Sequence, residues 1–533
     1  MLYRNKAFLP LLLSVTLLLG VYAGIYLSAN TDTDQINFIA PPSTRTMGSK
    51  LNQIISYIED EYVDTVKKDR LVEKAINSLL AELDPHSYYI PPEELSDYTE
   101  PLEGNFEGIG IEFVLEKDTI VVVNTINGGP SETAGLHAGD RIFKINGRNV
   151  GGVGIANDEV MKYLRGLSGT KVNLDVIRHG AKKPLRFTIT RGKIPIKSID
   201  AALLLNDSTG FIKVSRFAKT TYQEFIAAVD MLNSQSSRLR KLVVDLRGNG
   251  GGYLTSAIQI TEEFLAKDKL IVYTQGKAQP TRRYYSSKNG LLRHLKLDVL
   301  INESSASASE IMAGAIQDND RGTIIGRRSF GKGLVQEQMD LPDKSAVRLT
   351  VARYYTPTGR CIQKPYGHGI NYDDDFSNRM ATGELIHADS VKVVDSLKFK
   401  TPKGKIVYGG GGIIPDVFVP IDSSSLSLVL GSLLYGGQMS EYAFTYTDLN
   451  RQMLMAYKTP SKFEKQFSVS QKIYQLMLSK AMGKEVTRYI KPKEEKEIKL
   501  RLKALIARNI WGNEGYYRVL LPTDEMVVKL LSK

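Results

Sequence analysis

The spacing of hydrophobic and polar positions changes along the chain, and each change predicts a different kind of structure. Residues 7–28 form an uncharged, mostly apolar run of 22 residues, which is long enough to cross a bilayer core of about 30 Å. The polar, proline-containing stretch at residues 31–46 is typical of a linker. Over residues 47–100 the apolar positions recur at helical intervals, which predicts a small helical region.

Residues 101–190 are predicted to form a compact, mostly β module. Short β-rich runs bounded by glycine turns predict strands at residues 109–114, 119–123, 140–145 and 172–177. Helical spacing predicts two interruptions, at residues 130–136 and 157–164. The module lies between the helical region and a segment in which strands alternate with helices.

From residue 191 to residue 424, short apolar strands alternate with helices, and this alternation favours an α/β core. Strands are predicted at 210–214, 241–245 and 297–301, and helices at 222–233, 255–265 and 309–316. The polar, glycine-rich residues 365–411 indicate a long insertion or flap, and strand character returns at 412–419. Residues 425–533 are mostly helical without a chemical motif, and they are expected to form an accessory region.

Composition narrows the classes of function. The chain has 42% hydrophobic and 24% charged residues, as globular proteins do. Its single cysteine, Cys361, excludes an intrachain disulfide framework and offers no zinc cluster, and we expect neither a metal nor a cofactor. The net charge of +12 is not organised into a basic run with interleaved aromatic residues, so nucleic acid is not an expected partner.

The N-terminus predicts a membrane anchor. Arg4 and Lys6 precede the apolar run, so the positive-inside rule puts them in the cytoplasm and the rest of the chain outside. The run exceeds the roughly 7–15 residues of a secretory signal core, which favours an uncleaved signal anchor over residues 1–30. We therefore expect a single-pass protein of the bacterial inner membrane with its catalytic region in the periplasm. A cleaved signal peptide and a periplasmic protein are the alternative.

Two residues, Ser307 and Lys332, carry the candidate chemistry. Ser307 and Glu310 have the spacing of a capping box before an apolar helix, and a serine there also has backbone N–H groups beside it that can hold an oxyanion. Lys332 lies between two glycines. A serine hydroxyl needs a base, and a lysine can serve when burial lowers its pKa. The local pattern leaves other nucleophiles open: Ser304, Ser305 and Ser309.

The same motifs have competing interpretations. Residues 326–332 match the first seven positions of a phosphate-binding loop, but Gly333 stands where a magnesium-binding Ser or Thr is needed. The glycine run at residues 248–252 has poor spacing for a dinucleotide fingerprint and equally suits an oxyanion hole. The histidines are scattered over different regions, so a Ser–His–Asp triad stays open without being indicated.

Taken together and in order, the motifs resemble those of the carboxyl-terminal processing peptidases, the tail-specific proteases of family S41 with an embedded PDZ domain. The resemblance covers residues 47–421. It rests on residues 83–87, 108–110, 138–140, 245–249, 305–310, 330–333 and 412–416. Cys361 departs from the pattern, since a serine is expected there.

The resemblance implies a multidomain α/β protein. It has a crotonase-like protease core, an inserted PDZ domain, an N-terminal helical region and a C-terminal helical extension. It also implies that Ser307 is the nucleophile, that Lys332 is the general base and that Gln336 orients the lysine. The implied oxyanion hole consists of Gly250, Gly251 and Ala308. The implied carboxylate-binding loop of the PDZ domain consists of Gly108, Ile109, Gly110 and Ile111.

The expected function is that of a serine endopeptidase which cleaves periplasmic proteins at or near their C-terminal tails after PDZ recognition. Protein or peptide substrates and the membrane are the expected partners, and a homodimer is left open. Residues 100–105 and 191–197 flank the β module and are predicted to act as hinges. The alternative is an inactive PDZ scaffold that only binds tails, although both members of the Ser–Lys pair are present.

Overall fold

The structure is a computed structural model that describes residues 16, 19–21, 48–367, 369–422, 427–482 and 490–532. The predicted linker and nearly all of the predicted anchor lie outside these residues. Within the described ranges, no helix combines the length and the apolarity that a bilayer span requires. The chain divides into two compact units, residues 1–76 and 77–533, and the functional features all lie in the second.

The predicted helical region contains a strand as well as helices. Its elements are α1 (Gly48–Glu61), α2 (Lys68–Ala81), β1 (Tyr88–Ile90) and α3 (Leu95–Glu103). Strand β1 pairs antiparallel with residues 346–348, far along the chain. The sequence pattern missed β1 because three residues are too few to show the alternation of a strand.

Residues 105–195 form the predicted β module. Its elements are β2 (Asn105–Gly108), β3 (Ile111–Glu116), β4 (Thr119–Thr125), α4 (Pro130–Thr133), β5 (Arg141–Ile145), β6 (Arg148–Asn149), α5 (Asn157–Leu164), β7 (Lys171–Ile177), β8 (Leu185–Thr190) and β9 (Gly192–Pro195). Strands β3, β4, β5, β7 and β8 make one antiparallel sheet in that order, so β3 is an edge strand. Strands β2 and β9 pair with each other. The second predicted hinge segment therefore contains a paired strand, and most of the first lies in α3.

The next part of the chain is the predicted α/β core. Its elements are β10 (Ile199–Asn206), β11 (Thr209–Val214), α6 (Thr221–Gln235), β12 (Lys241–Asp245), α7 (Leu254–Glu262), β13 (Leu270–Gln275), β14 (Arg282–Tyr285), β15 (Lys296–Ile301), α8 (Ala308–Asp318), β16 (Thr323–Gly326), β17 (Leu334–Asp340), β18 (Ala346–Tyr355), α9 (Asp375–Ala381), 3₁₀ turns at Ala388–Ser390 and Asp395–Leu397, β19 (Lys398–Lys400), β20 (Ile406–Tyr408) and β21 (Val417–Phe418). The mixed α/β architecture with an inserted β module is confirmed. Strand structure after the flap is shorter than the predicted 412–419 and comprises Val417–Phe418; Gly412, with a φ of 90°, is not in a strand conformation.

Two sheets build this core. In the first, β11, β12, β15, β16 and β21 are parallel neighbours, with β10 antiparallel at one edge. In the second, β18 pairs with β17 and also with β1 and β13, and β14 extends the sheet beyond β13. Successive residues of a strand face opposite sides of its sheet. Accordingly Ile212 and Val244 pack in the cluster that includes α6, α7 and α8, while Phe211 and Val243 pack on the other side.

The C-terminal region is helical, as predicted, and contacts both the core and the β module. Its elements are α10 (Leu428–Tyr435), α11 (Gln438–Met455), α12 (Pro460–Gln466), α13 (Gln471–Met482), α14 (Pro492–Leu520), a 3₁₀ turn at Leu521–Thr523 and α15 (Glu525–Leu531). Helices α10 to α14 share one apolar cluster. Helix α15 instead buries Met526, Val527 and Leu530 against the parallel sheet, and Phe444 of α11 packs against β4 of the β module.

Candidate active site

Three loops meet where parallel strands of the core end. Residues 246–252 follow β12, residues 302–307 follow β15 and residues 327–333 follow β16. Because the carboxyl ends of parallel strands lie at one edge of a sheet, the fold gathers these loops there. Hydrogen bonds join them directly, from the Ala306 N–H to the Asn249 carbonyl and from the Phe330 N–H to the Ser305 carbonyl, both at 3.0 Å.

Ser307 is the N-cap of helix α8 and has an unusual backbone conformation. Its φ is 55° and its ψ is −115°, a region that residues with a side chain rarely occupy. Such strain persists only where the surroundings over-determine the conformation, and it concentrates at functional sites. The Ser307 carbonyl accepts hydrogen bonds from the N–H groups of Glu310 at 2.8 Å and Ile311 at 3.0 Å, so the helix itself holds the residue in place.

The Glu310 carboxylate holds Ser307 and Lys332 together through their backbones. It is fully buried and accepts the N–H groups of Ser307 at 2.8 Å and Lys332 at 2.8 Å. It also accepts the Gly331 N–H at 2.7 Å and the Ser329 hydroxyl at 2.5 Å. Burial raises the pKa of Glu310 to about 7, although these hydrogen bonds oppose the rise. The sequence identified Glu310 only as part of a capping box.

Tyr354 provides a second bridge between the same two residues. Its hydroxyl lies 3.1 Å from the Ser307 carbonyl oxygen and 2.6 Å from the Lys332 carbonyl oxygen. Burial raises the pKa of Tyr354 well above its usual range, so the hydroxyl keeps its proton. Nothing in the sequence singled out this residue, which β18 contributes.

Burial lowers the pKa of Lys332, and the nearby charge of Arg348 lowers it further. The carboxylates of Asp84 and Glu310 oppose that effect without reversing it. The shift makes the neutral amine more accessible than it is for an exposed lysine. A neutral amine is the form that can accept a proton from a serine hydroxyl.

Gln336 belongs to a polar chain that leads to the segment before β1. Its amide donates to the Thr350 hydroxyl at 3.2 Å, and that hydroxyl donates to Asp84 Oδ1 at 3.1 Å. Asp84 Oδ2 accepts the Ser87 hydroxyl at 2.6 Å. In this conformation Gln336 is therefore turned toward Thr350, and its role in orienting Lys332 stays a prediction.

His86 lies in this neighbourhood although the sequence places it 221 residues before Ser307. Burial lowers its pKa to about 4, and the charge of Lys332 adds to the shift. Its Nε2 is 3.0 Å from the Tyr372 hydroxyl. The contact is to the flap rather than to Ser307, so the described geometry does not give His86 the role of a triad histidine.

Two of the predicted oxyanion donors, Gly251 and Ala308, lie beside Ser307. A side-chain carbon on Gly251 would come within 2.8 Å of Ser307 Cβ and 3.1 Å of the Ala308 nitrogen, so only a glycine fits there. Ala308 is the first residue of α8, where an N–H has no partner inside the helix. The Gly251 N–H donates to Asn249 Oδ1 at 2.8 Å, and Gly250 precedes it in the same loop.

The flap fixes the loop that carries Lys332. Arg379 donates to the carbonyl oxygens of Arg328 at 3.0 Å and Ser329 at 2.9 Å. The carboxylate of Glu384 accepts two hydrogen bonds from Arg328, at 2.7 and 2.8 Å. Residues 365–411 are therefore a structural support for the site as well as an insertion.

A groove in the β module contains the predicted carboxylate-binding loop. It lies between β3 and α5 and is lined by Phe106, Gly108, Ile109, Gly110, Ile111, Phe113, Met161, Leu164 and Arg165. Since β3 is an edge strand, its outer side can accept another strand. Arg165 forms an ion pair with Glu100 at 2.8 Å and so connects the groove to the segment that precedes the module.

Comparison with known proteins decides the family. The model of peptidase family S41 matches residues 208–375, and the PDZ domain model matches residues 108–189. A carboxy-terminal-processing protease of Bartonella bacilliformis is 38% identical over 356 residues, which cover 66% of this chain and 80% of that protein. The chain belongs to the carboxy-terminal processing proteases. It is therefore a serine-type endopeptidase of family S41.

The chain is also similar to other processing proteases, and its C-terminal region matches a further family model. Carboxy-terminal processing protease CtpB of Bacillus subtilis is 35% identical and covers 65% of this chain and 72% of its own. A solved photosystem II D1 C-terminal processing protease is 26% identical, with a TM-score of 0.35, and covers 72% of this chain and 89% of its own. A family of unknown function, DUF8443, matches residues 429–512, within the C-terminal helices of the peptidase.

Proposed function

We propose that this chain is a membrane-anchored serine endopeptidase that uses Ser307 and Lys332 to cleave periplasmic proteins near their C-termini. The observation that carries the proposal is the Glu310 carboxylate, which binds the backbone N–H groups of both residues. One buried side chain thereby fixes the relative position of the two backbone segments whose side chains have to exchange a proton. Precise positioning of this kind is a large part of enzymatic rate enhancement.

In the proposed first half-reaction, the neutral Lys332 amine removes the proton from the Ser307 hydroxyl as its oxygen attacks the scissile carbonyl carbon. The new oxygen–carbon bond moves an electron pair onto the carbonyl oxygen. The N–H groups of Gly250 and Ala308 stabilise this oxyanion. The Gly251 N–H becomes a third donor to the oxyanion when its hydrogen bond to Asn249 Oδ1 breaks.

Collapse of the tetrahedral intermediate breaks the peptide bond and leaves an acyl group on Ser307. The departing amine takes the proton that Lys332 had accepted. In the second half-reaction the same amine, neutral again, activates a water molecule that releases the acyl group. Lys332 thus serves as base and acid in turn.

Substrate capture is proposed for the PDZ groove. A C-terminal tail that adds as a strand beside β3 brings its carboxylate to the loop formed by residues 108–111, where backbone N–H groups can hold it. The last apolar side chain of the tail then faces Met161 and Leu164, which line the groove. The positive charge of Arg165, which lines the same groove, favours the negatively charged terminal carboxylate of the tail.

The proposed location rests on the sequence of residues 1–30. The apolar run follows Arg4 and Lys6, and this arrangement favours a cytoplasmic N-terminus with the peptidase outside. Carbonate extraction of membranes tests it. An uncleaved anchor keeps the full-length chain in the pellet, whereas recovery of a shortened chain in the soluble fraction would contradict the anchor.

Digestion of an unstructured protein with an apolar C-terminus by the full-length chain in detergent micelles tests the reaction. The wild type should shorten the substrate from its C-terminal side, and Ser307→Ala should leave it intact. Ser304→Ala is the matched control, because Ser304 is an exposed serine of the same loop, and it should cleave at the wild-type rate. An intact substrate with the wild type would favour a scaffold that only binds tails.

A further inference from the structure

The C-terminal region reaches the glycine loop beside Ser307 through one ion pair. Asp524 Oδ2 lies 2.7 Å from Arg247 Nη1, and Arg247 directly precedes the loop formed by residues 248–252. Both side chains are largely covered, with exposed fractions of 22% for Asp524 and 19% for Arg247. A charge-assisted hydrogen bond in such a position is stronger than one at an open surface.

Asp524 is itself held in place. Its Oδ1 accepts the N–H groups of Met526 at 3.0 Å and Val527 at 3.1 Å, so it caps α15. The helix in turn buries the side chains of these two residues and of Leu530 against the parallel sheet. The carboxylate that meets Arg247 is therefore anchored to the face of the core sheet.

Arg247 is shared between two carboxylates. Its Nη2 donates to Asp245 Oδ2 at 2.7 Å and its Nε donates to Asp245 Oδ1 at 3.0 Å, while Nη1 points to Asp524. Lys213 completes the group, 3.4 Å from Asp245. Burial alone would raise the pKa of Asp245, but the charges of Arg247 and Lys213 overcome it and lower the pKa to about 2. Two cations and two anions thus balance, and loss of Asp524 leaves an excess positive charge.

The backbone of Arg247 transmits this constraint to the loop. Its carbonyl accepts a hydrogen bond from Lys213 Nζ. The Gly248 N–H donates to Asn302 Oδ1 at 2.9 Å, and the loop then runs to Gly251, which lies beside Ser307. The loop is thus held at Arg247 and Gly248 on one side and at Gly251 on the other. The orientation of the Gly250 and Gly251 N–H groups therefore depends on the position of Arg247.

We propose that Asp524 is a positioning residue of the peptidase, and that the C-terminal region takes part in catalysis by fixing Arg247 and with it the glycine loop. The inference deepens the proposed function, since it rests on the role of that loop in stabilising the oxyanion. Asp524 contacts no reacting atom. Its loss should therefore lower kcat and leave KM unchanged.

The substitution Asp524→Asn separates the two roles of the residue. Asparagine caps a helix as well as aspartate does, so α15 stays folded while the ion pair with Arg247 is lost. We expect kcat to fall about tenfold, as for the loss of one charge-assisted hydrogen bond. We also expect KM to stay within a factor of about two and the melting temperature to stay near that of the wild type. Asp524→Glu, which keeps the charge, should recover part of kcat.

The matched control is Glu514→Gln. Glu514 pairs with Arg518 within α14, so its loss removes an ion pair of the same region without touching the core. The rate of Ser307 modification by a fluorophosphonate, measured on the full-length chain, should fall for Asp524→Asn and not for Glu514→Gln. Wild-type kcat for Asp524→Asn would overturn the inference. The proposed peptidase reaction is tested separately by Ser307→Ala. If that variant is inactive in the same assay, the reaction is supported even when Asp524→Asn has wild-type kcat.

Discussion

The carboxylate of Glu310 accepts the backbone N–H of Lys332 at 2.8 Å, and the same oxygen, Oε2, accepts the backbone N–H of Ser307 at 2.8 Å. A single oxygen atom thus fixes two residues on different loops. The arrangement explains why a fully buried acidic residue lies in the first turn of the helix that follows the nucleophile. The hydrogen bonds that Glu310 accepts offset only part of the cost of burying its charge, since its pKa still rises to about 7.

Replacement of Glu310 by glutamine tests this relationship. A glutamine side chain has one acceptor oxygen instead of two. Its NH₂ group would face N–H donors that are bound by the carboxylate in the wild type, and these donors would lose their partner. We expect kcat to fall about a hundredfold and the free energy of unfolding to fall by about 1–3 kcal/mol for the donors left unpaired. Steady-state kinetics and urea unfolding measure the two effects. Glu337→Gln, at an exposed position of β17, is the control, and equal kcat for both variants would show that the Glu310 carboxylate is dispensable.

Lys332→Arg should be as inactive as Lys332→Ala, with both variants folded. A guanidinium stays protonated at all accessible pH values and cannot act as a base. Digestion of the unstructured substrate, together with circular dichroism of each variant, checks the prediction. Substantial turnover by the arginine variant would end the assignment of Lys332 as the base and would direct attention to His86.

Stability should depend on pH with opposite signs for the half-buried His86 and the buried Glu310. The pKa of His86 falls from 6.5 in the unfolded chain to about 4, so the stability associated with its neutral form is present above pH 6.5 and is lost as the pH falls toward 4. The pKa of Glu310 rises from 4.5 to about 7, so its contribution is present below pH 4.5 and is lost as the pH rises through 7.

The His86→Gln variant isolates the first effect. Between pH 6.5 and pH 4 it should lose less of its unfolding free energy than the wild type loses, because the group that takes up a proton on unfolding is gone. Urea unfolding at several pH values in this window measures the slope. Identical slopes for the two proteins would mean that His86 is not held neutral by its surroundings.

Capture of a substrate tail should depend on its free carboxylate. A long substrate with an apolar C-terminus should be cleaved roughly ten times faster than the same chain with an amidated end, because the groove gains its binding energy from the carboxylate and the last side chain. Arg165→Gln should reduce the difference. Arg186→Gln, on an exposed face of the same domain, should preserve it. Equal cleavage rates for the two substrates would show that the PDZ groove does not capture the tail and that the domain has only a structural role.

Much of the architecture follows from local pattern. Alternation of strands and helices predicted the α/β core, and the predicted bounds of α5 and β12 agree with the structure residue for residue. These elements carry complete amphipathic or apolar patterns over their whole length. Strand β1 and helix α15 were missed as parts of the core, since each is short and pairs or packs with residues far along the chain.

The candidate site was only partly predictable for the same reason. Ser307 and Lys332 lie in local motifs that the sequence displays. Glu310, Tyr354 and Asp84 act through contacts that only the fold creates, although Glu310 was visible as a capping residue. The part of this arrangement that a sequence displays is the capping box, with a glutamate three residues after the candidate nucleophile.

The central claim is that Lys332 activates Ser307, and the rate of Ser307 modification by a fluorophosphonate as a function of pH tests it most directly. Mass spectrometry should find the label on Ser307 of the full-length chain. The rate should rise with pH to a plateau whose midpoint lies below the ordinary lysine value of 10.5, because burial lowers the pKa of Lys332. Labelling of another serine, or an unchanged rate and pH profile in Lys332→Ala, would contradict it.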